Sequence, residues 1–181
     1  DGLETWWYDT GEKRSETHYK NSKKDGLETH WYESGKKSRE AYYKNGERDG
    51  LETRWYESGE KEFETHYLYN YKNSKKDGLE TWWYETGEKQ REAHFKNGKL
   101  EGLETTWTKS GDKKTETHYK NGKKEGVEKY WYKSGRKNEE KKEVNQYIKT
   151  FETHYKNGKR DGVEKEWYES GRKKLLKHFK N

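Results

Sequence analysis

The sequence predicts an all-β protein, an elongated array of seven antiparallel β-hairpins joined into one twisted sheet. Three observations carry that expectation. A unit of 24 residues returns seven times, with small insertions, in the form seen from His118 to Gly135, HYKNGKKEGVEKYWYKSG. Inside each unit the residues alternate with period two: Leu3, Thr5 and Trp7 interleave with Glu4, Trp6 and Tyr8, a strand spacing and not a helical one. The alternating runs are punctuated by turn chemistry, Asn-Gly pairs such as Asn45-Gly46 and Asn121-Gly122 on one side and a lone Gly such as Gly11 on the other.

The array reads as a single repeat domain over residues 1–181, with repeats at 1–24, 25–48, 49–76, 77–100, 101–124, 125–160 and 161–181. In the first, the strand ending at Trp7-Tyr8 turns at Thr10-Gly11-Glu12, a second strand runs from Lys13 to Lys20, and Asn21 to Lys24 leads into the next copy. The third repeat is lengthened at Leu68 to Tyr71, and the sixth by the 12 residues Asn138 to Lys149. Val144, Tyr147, Ile148 and Phe151 fit either a short helix with one apolar side or a lengthened strand.

Because the repeat and both insertions are even in length, equivalent positions keep one face along the array. One face is nearly constant: Leu or Val third, Trp seventh (Trp7, Trp31, Trp55, Trp83, Trp107, Trp131, Trp167), Tyr or Phe nineteenth. It is expected to be the core side, with those Trp as framework. The other face, with Glu4, Glu16, His18, Lys20, Tyr8 and their equivalents, is expected to be wet. Its sixth position breaks the constancy, running Trp6, His30, Arg54, Trp82, Thr106, Tyr130, Glu166. Framework positions recur because each unit packs on its neighbour, whereas a varied exposed column can encode contacts. Trp6, His30, Arg54, Trp82 and Tyr130, with Tyr69, Tyr71 and Tyr147 of the insertions, are therefore the candidate partner-binding residues.

Composition narrows the function classes. With 42% charged and 24% hydrophobic residues the chain resembles a disordered one, but 9 Trp, 16 Tyr and 4 Phe at fixed intervals supply the apolar area that disorder lacks. The net charge of +6 is spread over 41 basic and 35 acidic residues with no basic arm. Without cysteine there are no disulfides and no thiol chemistry. No apolar run reaches membrane-span length and no signal peptide is visible; the absence of Met points to a trimmed, processed or synthetic chain, cytoplasmic or exported after processing. Of the seven His, six occupy the eighteenth position, yet that column stands roughly 9.5 Å apart, two strand spacings, too far for one ion to gather its ligands. No nucleophile–base pair or phosphate-cradling loop is present, so no enzyme, cofactor or metal site is expected. Charging of the His column between about pH 7 and 5.5 is expected to weaken or change binding.

The spacing Tyr119-Lys-Asn-Gly-Lys-Lys-Glu-Gly126, followed by Trp131-Tyr132 and Gly135, resembles the membrane occupation and recognition nexus (MORN) repeat. The likeness is nearest to the bacterial variant class associated with antitoxin components of toxin–antitoxin modules. It implies a twisted sheet of consecutive hairpins with an aromatic-lined groove, and scaffolding or lipid-associated roles. Where the common repeat has Gly-x-Gly, this chain has Gly26-Leu27-Glu28 and its equivalents, which disfavours anionic lipid. The expected function is a protein-binding scaffold, antitoxin-like in one form. The alternatives are an extended polymer (glycan, nucleic acid or anionic lipid surface) along the aromatic and Lys ladder, or a self-associating array whose last repeat is capped by Leu175, Leu176 and Lys177.

Overall fold

The computed structural model describes residues 1–68, 75–137 and 143–180. It is all-β: fourteen strands form one open antiparallel sheet in which spatial order follows chain order. The chain divides into two compact units, Asp1–Lys99 and Leu100–Asn181. The first holds β1 (Gly2–Trp7), β2 (Lys13–Lys20), β3 (Lys23–Trp31), β4 (Lys37–Lys44), β5 (Glu47–Trp55), β6 (Lys61–Leu68), β7 (Lys75–Trp83) and β8 (Lys89–Lys96). The second is built on β9 (Lys99–Trp107), β10 (Lys113–Lys120), β11 (Lys123–Lys137), β12 (Glu143–Lys156), β13 (Lys159–Trp167) and β14 (Lys173–Phe179).

Two turns alternate. In every hairpin but the sixth the inner turn is closed as in the first, by Tyr8 N–H to the Glu12 carbonyl at 2.8 Å and Gly11 N–H to the Tyr8 carbonyl at 2.9 Å, repeated at Tyr32, Tyr56, Tyr84, Thr108 and Tyr168. Between hairpins, Asn45 and Gly46 both take positive φ, 51° and 90°, the left-handed pair that a two-residue hairpin loop demands. The acidic residue that opens each repeat has its use here: Asp25 accepts from Asn45 N–H at 3.2 Å, and Glu101 from Asn121 N–H at 2.7 Å.

The register corrects the expected sorting of faces. Leu3 pairs with His18, Glu4 with Thr17, Thr5 with Glu16 and Trp6 with Ser15. Paired residues share a face, and every such pair joins an odd position to an even one, so parity inverts between the two strands of a hairpin. Tyr19 therefore lies on the side of Glu4 and Trp6, while Glu16 and His18 lie on the side of Leu3 and Trp7. One face, called here the carboxylate face, carries the Glu4, Trp6, Ser15, Thr17, Tyr19 and Lys24 columns. The tryptophan face carries the Leu3, Thr5, Trp7, Glu16 and His18 columns.

Two irregularities recur. At the first, Trp6 pairs with Ser15 but Trp7 with Lys13, leaving Arg14 as the extra residue. At the second, Thr17 pairs with Glu28 but Tyr19 with Lys24, so Asp25, Gly26 and Leu27 bulge opposite His18. Gly26 sits at φ 110°, and a Cβ there would stand 3.2 Å from His18 Cβ. The imidazole fills the space the glycine leaves, and its Nδ1 bonds the Leu27 carbonyl at 2.9 Å. His118 and His154 do the same to Val127 and Val163 at 3.2 and 2.9 Å. A carbonyl only accepts, so in the neutral ring Nδ1 carries the proton.

The expected core side is also corrected. Leu3, Trp7, Leu79 and Leu103 are exposed, whereas Glu28, Glu52, Glu80, Glu128 and Glu164 are buried. In a single sheet no second layer covers either face, and only side chains short enough, or bent enough, to lie beneath their neighbours leave water. Hence the buried set is carboxylates with Thr17, Ala41, Thr65, Ala93, Thr117 and Thr153 on one face, joined there by Phe63 beneath Trp82, Arg54 and Lys76, and Thr29, Thr53, Thr81 and Thr105 on the other. Tyr8, expected to be wet, is anchored: its hydroxyl donates to the Trp31 carbonyl at 2.8 Å, as Tyr32 and Tyr56 do to Trp55 and Trp83 at 2.6 and 2.8 Å.

Of the two conformations open to the stretch holding Val144, Tyr147, Ile148 and Phe151, the lengthened strand is the one adopted, while residues 138–142 of the insertion lie outside the described residues. β11 and β12 pair from Gly126–Tyr155 out to Lys137–Glu143. The Lys133-Ser134-Gly135-Arg136 stretch, a turn in its sister repeats, runs extended here opposite Val144 to Tyr147.

The carboxylate face as candidate binding surface

The seven repeats share a glutamate two residues before the varied sixth position, and on a strand that spacing returns to the same face. Side chains of the sixth column therefore lean on that carboxylate. Arg54 Nε and Nη2 donate to Glu52 Oε1 at 3.0 and 2.8 Å. Trp82 Nε1 donates to Glu80 Oε1 at 3.1 Å. His30 Nε2 stands 3.5 Å from Glu28 Oε1.

Each buried carboxylate also holds a cation from the end of the preceding repeat: Lys24 on Glu28, Arg48 on Glu52, Lys76 on Glu80, Lys124 on Glu128 and Arg160 on Glu164. Those cations lie over aromatic rings of the nineteenth column, Lys24 5.1 Å from Tyr43, Arg48 5.1 Å from Tyr67, Lys76 5.3 Å from Phe95 and Lys124 5.0 Å from Tyr155. Glutamate, cation and ring thus form a repeating brace, and burial of the carboxylate is offset by charge-assisted bonds. Burial alone would raise the Glu52 pKa, but the Arg54 hydrogen bonds and the Arg39 and Arg48 charges outweigh it and hold the carboxyl below its usual range. Glu128 is held down likewise, against burial, by Lys124 and by hydrogen bonds from Tyr130 and Tyr155. Tyr130 in turn is pushed up to about 12 by burial and by the Glu128 charge.

The sequence reading missed the row's second half. The fifteenth column pairs with the sixth both within and between hairpins, giving Trp6, Ser15, His30, Arg39, Arg54, Phe63, Trp82 and Arg91 in the first unit. In the second unit the row runs Thr106, Thr115, Tyr130, Phe151, Glu166 and Leu175. The fifteenth column varies as freely as the sixth, and that shared variation was the available signal. Its members take part in the brace: Arg39 bridges Glu28 and Glu52, each at 3.0 Å, and Arg91 reaches Glu80 at 2.5 Å. Phe63 packs on Trp82 with ring centres 4.4 Å apart. Tyr130 meets Phe151 edge-on at 5.6 Å.

Trp6 is exposed, while His30, Arg54, Trp82 and Tyr130 are half-buried, with one side on the brace and the other open. Tyr69 and Tyr71 fall outside the described residues, and Tyr147 lies in β12 opposite Lys133. Of the framework Trp, Trp7 is exposed; Trp31, Trp55, Trp83, Trp107, Trp131 and Trp167 are half-buried on the opposite face. There Lys13, Lys61, Lys113 and Lys149 sit 4.7–5.7 Å from the rings of Trp31, Trp83, Trp131 and Trp167 and pair with Glu16, Glu64, Glu116 and Glu152. Among the described residues no group of three or more His, Asp or Glu could hold a metal ion, and no helix is long and apolar enough to cross a membrane.

Comparison with known families returns the MORN repeat variant, matched at residues 1–21, 24–45, 48–69, 76–97, 100–121 and 160–181. The unmatched stretch between 121 and 160 holds the repeat whose hairpin is lengthened. No curated protein matches the chain.

Proposed function

The chain belongs to the MORN repeat variant family, a family of binding and scaffolding repeats, and from that premise we propose that it is a non-enzymatic scaffold for a protein partner, docked on the carboxylate face. One observation supports this reading above the rest. Apart from the bulged fourteenth column (Arg14, Ser38, Glu62, Gln90, Lys114, Thr150, Lys174), repeat-to-repeat variation in the strands is greatest along one row on one face of each unit, formed by the register-paired sixth and fifteenth columns. Trp6, His30, Arg54, Trp82 and Tyr130 offer that row aromatic and Arg anchors, the types that dominate protein–protein binding energy. Bracing from beneath limits the rotamer freedom that His30, Arg54, Trp82 and Tyr130 would lose on binding, which favours affinity. An antitoxin that holds its toxin would be one instance.

The extended-polymer alternative would use the tryptophan face, and the Lys groups over four of its rings weigh against it, since they occupy ring faces that a sugar or base would stack on. The test compares partner recovery by the wild type and by a variant with Trp6, Arg54, Trp82 and Tyr130 changed to Ser, the recovered complex then being mapped by hydrogen exchange. We expect recovery to fall at least about tenfold, and protection to concentrate on β3–β8 and on β11. Equal recovery of the same partner refutes the assignment of the face.

A further inference from the structure

Arg39 and Arg54 are register partners on β4 and β5, and like charges placed directly opposite are destabilising. Elsewhere in the row the partners across hairpins are Ser15 with His30, Phe63 with Trp82, Thr115 with Tyr130 and Phe151 with Glu166, none of them two fixed positive charges. Arg39, Arg48 and Arg54 converge on the single carboxylate of Glu52 at 2.8–3.0 Å. In the ion pairs that Arg39 joins to Glu28 and Lys24, four fixed positive charges meet two negative ones among the described residues. In the second unit Lys124 faces Glu128, and Arg160 faces Glu164. The excess is reachable, since the Arg48 and Arg54 side chains are 33% and 38% exposed. No donor is aligned on Glu52 Oε2, although Arg48 stands beside it.

We infer that Arg39, Arg48 and Arg54 form an anion-recognition site whose ligand is a carboxylate on an acidic segment of the protein partner. This rests on the protein-binding reading above and specifies the partner's chemistry. The planar guanidinium forks match a carboxylate in bidentate fashion, and Arg54 lies against the buried Phe63 ring, its centre 5.1 Å away, which helps to hold the fork in place. A like-charged pair that the shared Glu52 carboxylate offsets only in part is where a function is expected, and an incoming anion balances the remainder. A nucleic-acid backbone fits less well. It needs a continuous cationic track, whereas the row passes to Ser15 and Trp6 on one side, and Glu62 projects its charge onto nearby Tyr32 and Tyr56.

The probe is a fluorescently labelled oligoglutamate peptide titrated with the intact protein at low ionic strength and read by anisotropy. Saturable binding is expected, weakened about tenfold or more by Arg54→Gln and by Arg48→Gln and left within about twofold by Lys13→Gln on the other face. Arg54→Lys, which keeps the charge but not the fork, should restore part of it. Thermal melting of each variant separates lost binding from lost fold. No saturable binding by the wild type, equal loss with Lys13→Gln, or tighter binding of an oligothymidylate of the same charge would each overturn the proposal. A protein partner retained at wild-type yield by Arg54→Gln also overturns it while leaving the protein-binding reading intact. Failure of that broader reading shows instead as a partner whose protection maps off the carboxylate face.

Discussion

Replacing Glu52 with Gln removes the negative charge from the most heavily braced point of the first unit. Glu52 is fully buried, and its Oε1 accepts from Arg39 Nε, Arg54 Nε and Arg54 Nη2 at 2.8–3.0 Å while Arg48 flanks Oε2 at 2.9 Å. The amide oxygen can inherit the first set, but the amide NH2 then faces Arg48, donor against donor. Three guanidiniums lose their shared counter-charge. Breaking a buried pair from one side costs about 3–5 kcal/mol, and the half-exposure of Arg48 and Arg54 places the expectation near the lower end, about 3 kcal/mol. Glu164→Gln is the internal control: its cation, Arg160, is 48% exposed, so the loss should be about 1 kcal/mol. Urea unfolding followed by Trp fluorescence measures both. Because the folded pKa of Glu52 is depressed below the ordinary carboxyl value of 4.5, its stabilisation is present in full above that pH and is lost as pH falls through the folded value. The wild type should therefore weaken below about pH 4.5, and Glu52→Gln should flatten part of that loss. Equal costs for the two substitutions, or an unchanged acid limb in Glu52→Gln, would refute the brace.

Three other outcomes are expected. Gly26→Ala should destabilise by about 1–3 kcal/mol in thermal melts, because alanine is strained at φ 110° and its methyl would meet His18 Cβ, whereas Gly59→Ala, at φ 103° but with open space around it, should cost less. Tyr130→Phe should remove from an alkaline absorbance titration the phenol that ionises at about 12, at a cost of about 1 kcal/mol for the lost bond to Glu128. Long-range 1H–15N spectra should show the neutral rings of His18, His118 and His154 as Nδ1–H tautomers.

The hairpins were readable because their signals are local. Alternation, Asn-Gly pairs and the lone turn glycines each act within a few residues, and the strands fall where those signals place them. The faces were misread because facing is a property of two strands. Numbering Tyr19 with Leu3 and Trp7 by parity ignores the register that pairs Leu3 with His18. The glutamate column was visible in all seven repeats, but a charged residue reads as wet until its partners are known; Lys24, Arg39 and Arg54 lie 4, 11 and 2 residues from the carboxylates they brace.

The sequence by itself determined the number of hairpins, their turns and the constancy of equivalent positions, since each depends on short-range backbone preference repeated at an even period. Only the tertiary structure decided which residues are buried, that His18 closes a bulge, that Lys133 to Arg136 runs as strand where its counterparts turn, and that the varied row gathers arginines around Glu52. Those outcomes depend on cross-strand register and on charges that meet across strands, and neither is written in any one segment of the chain.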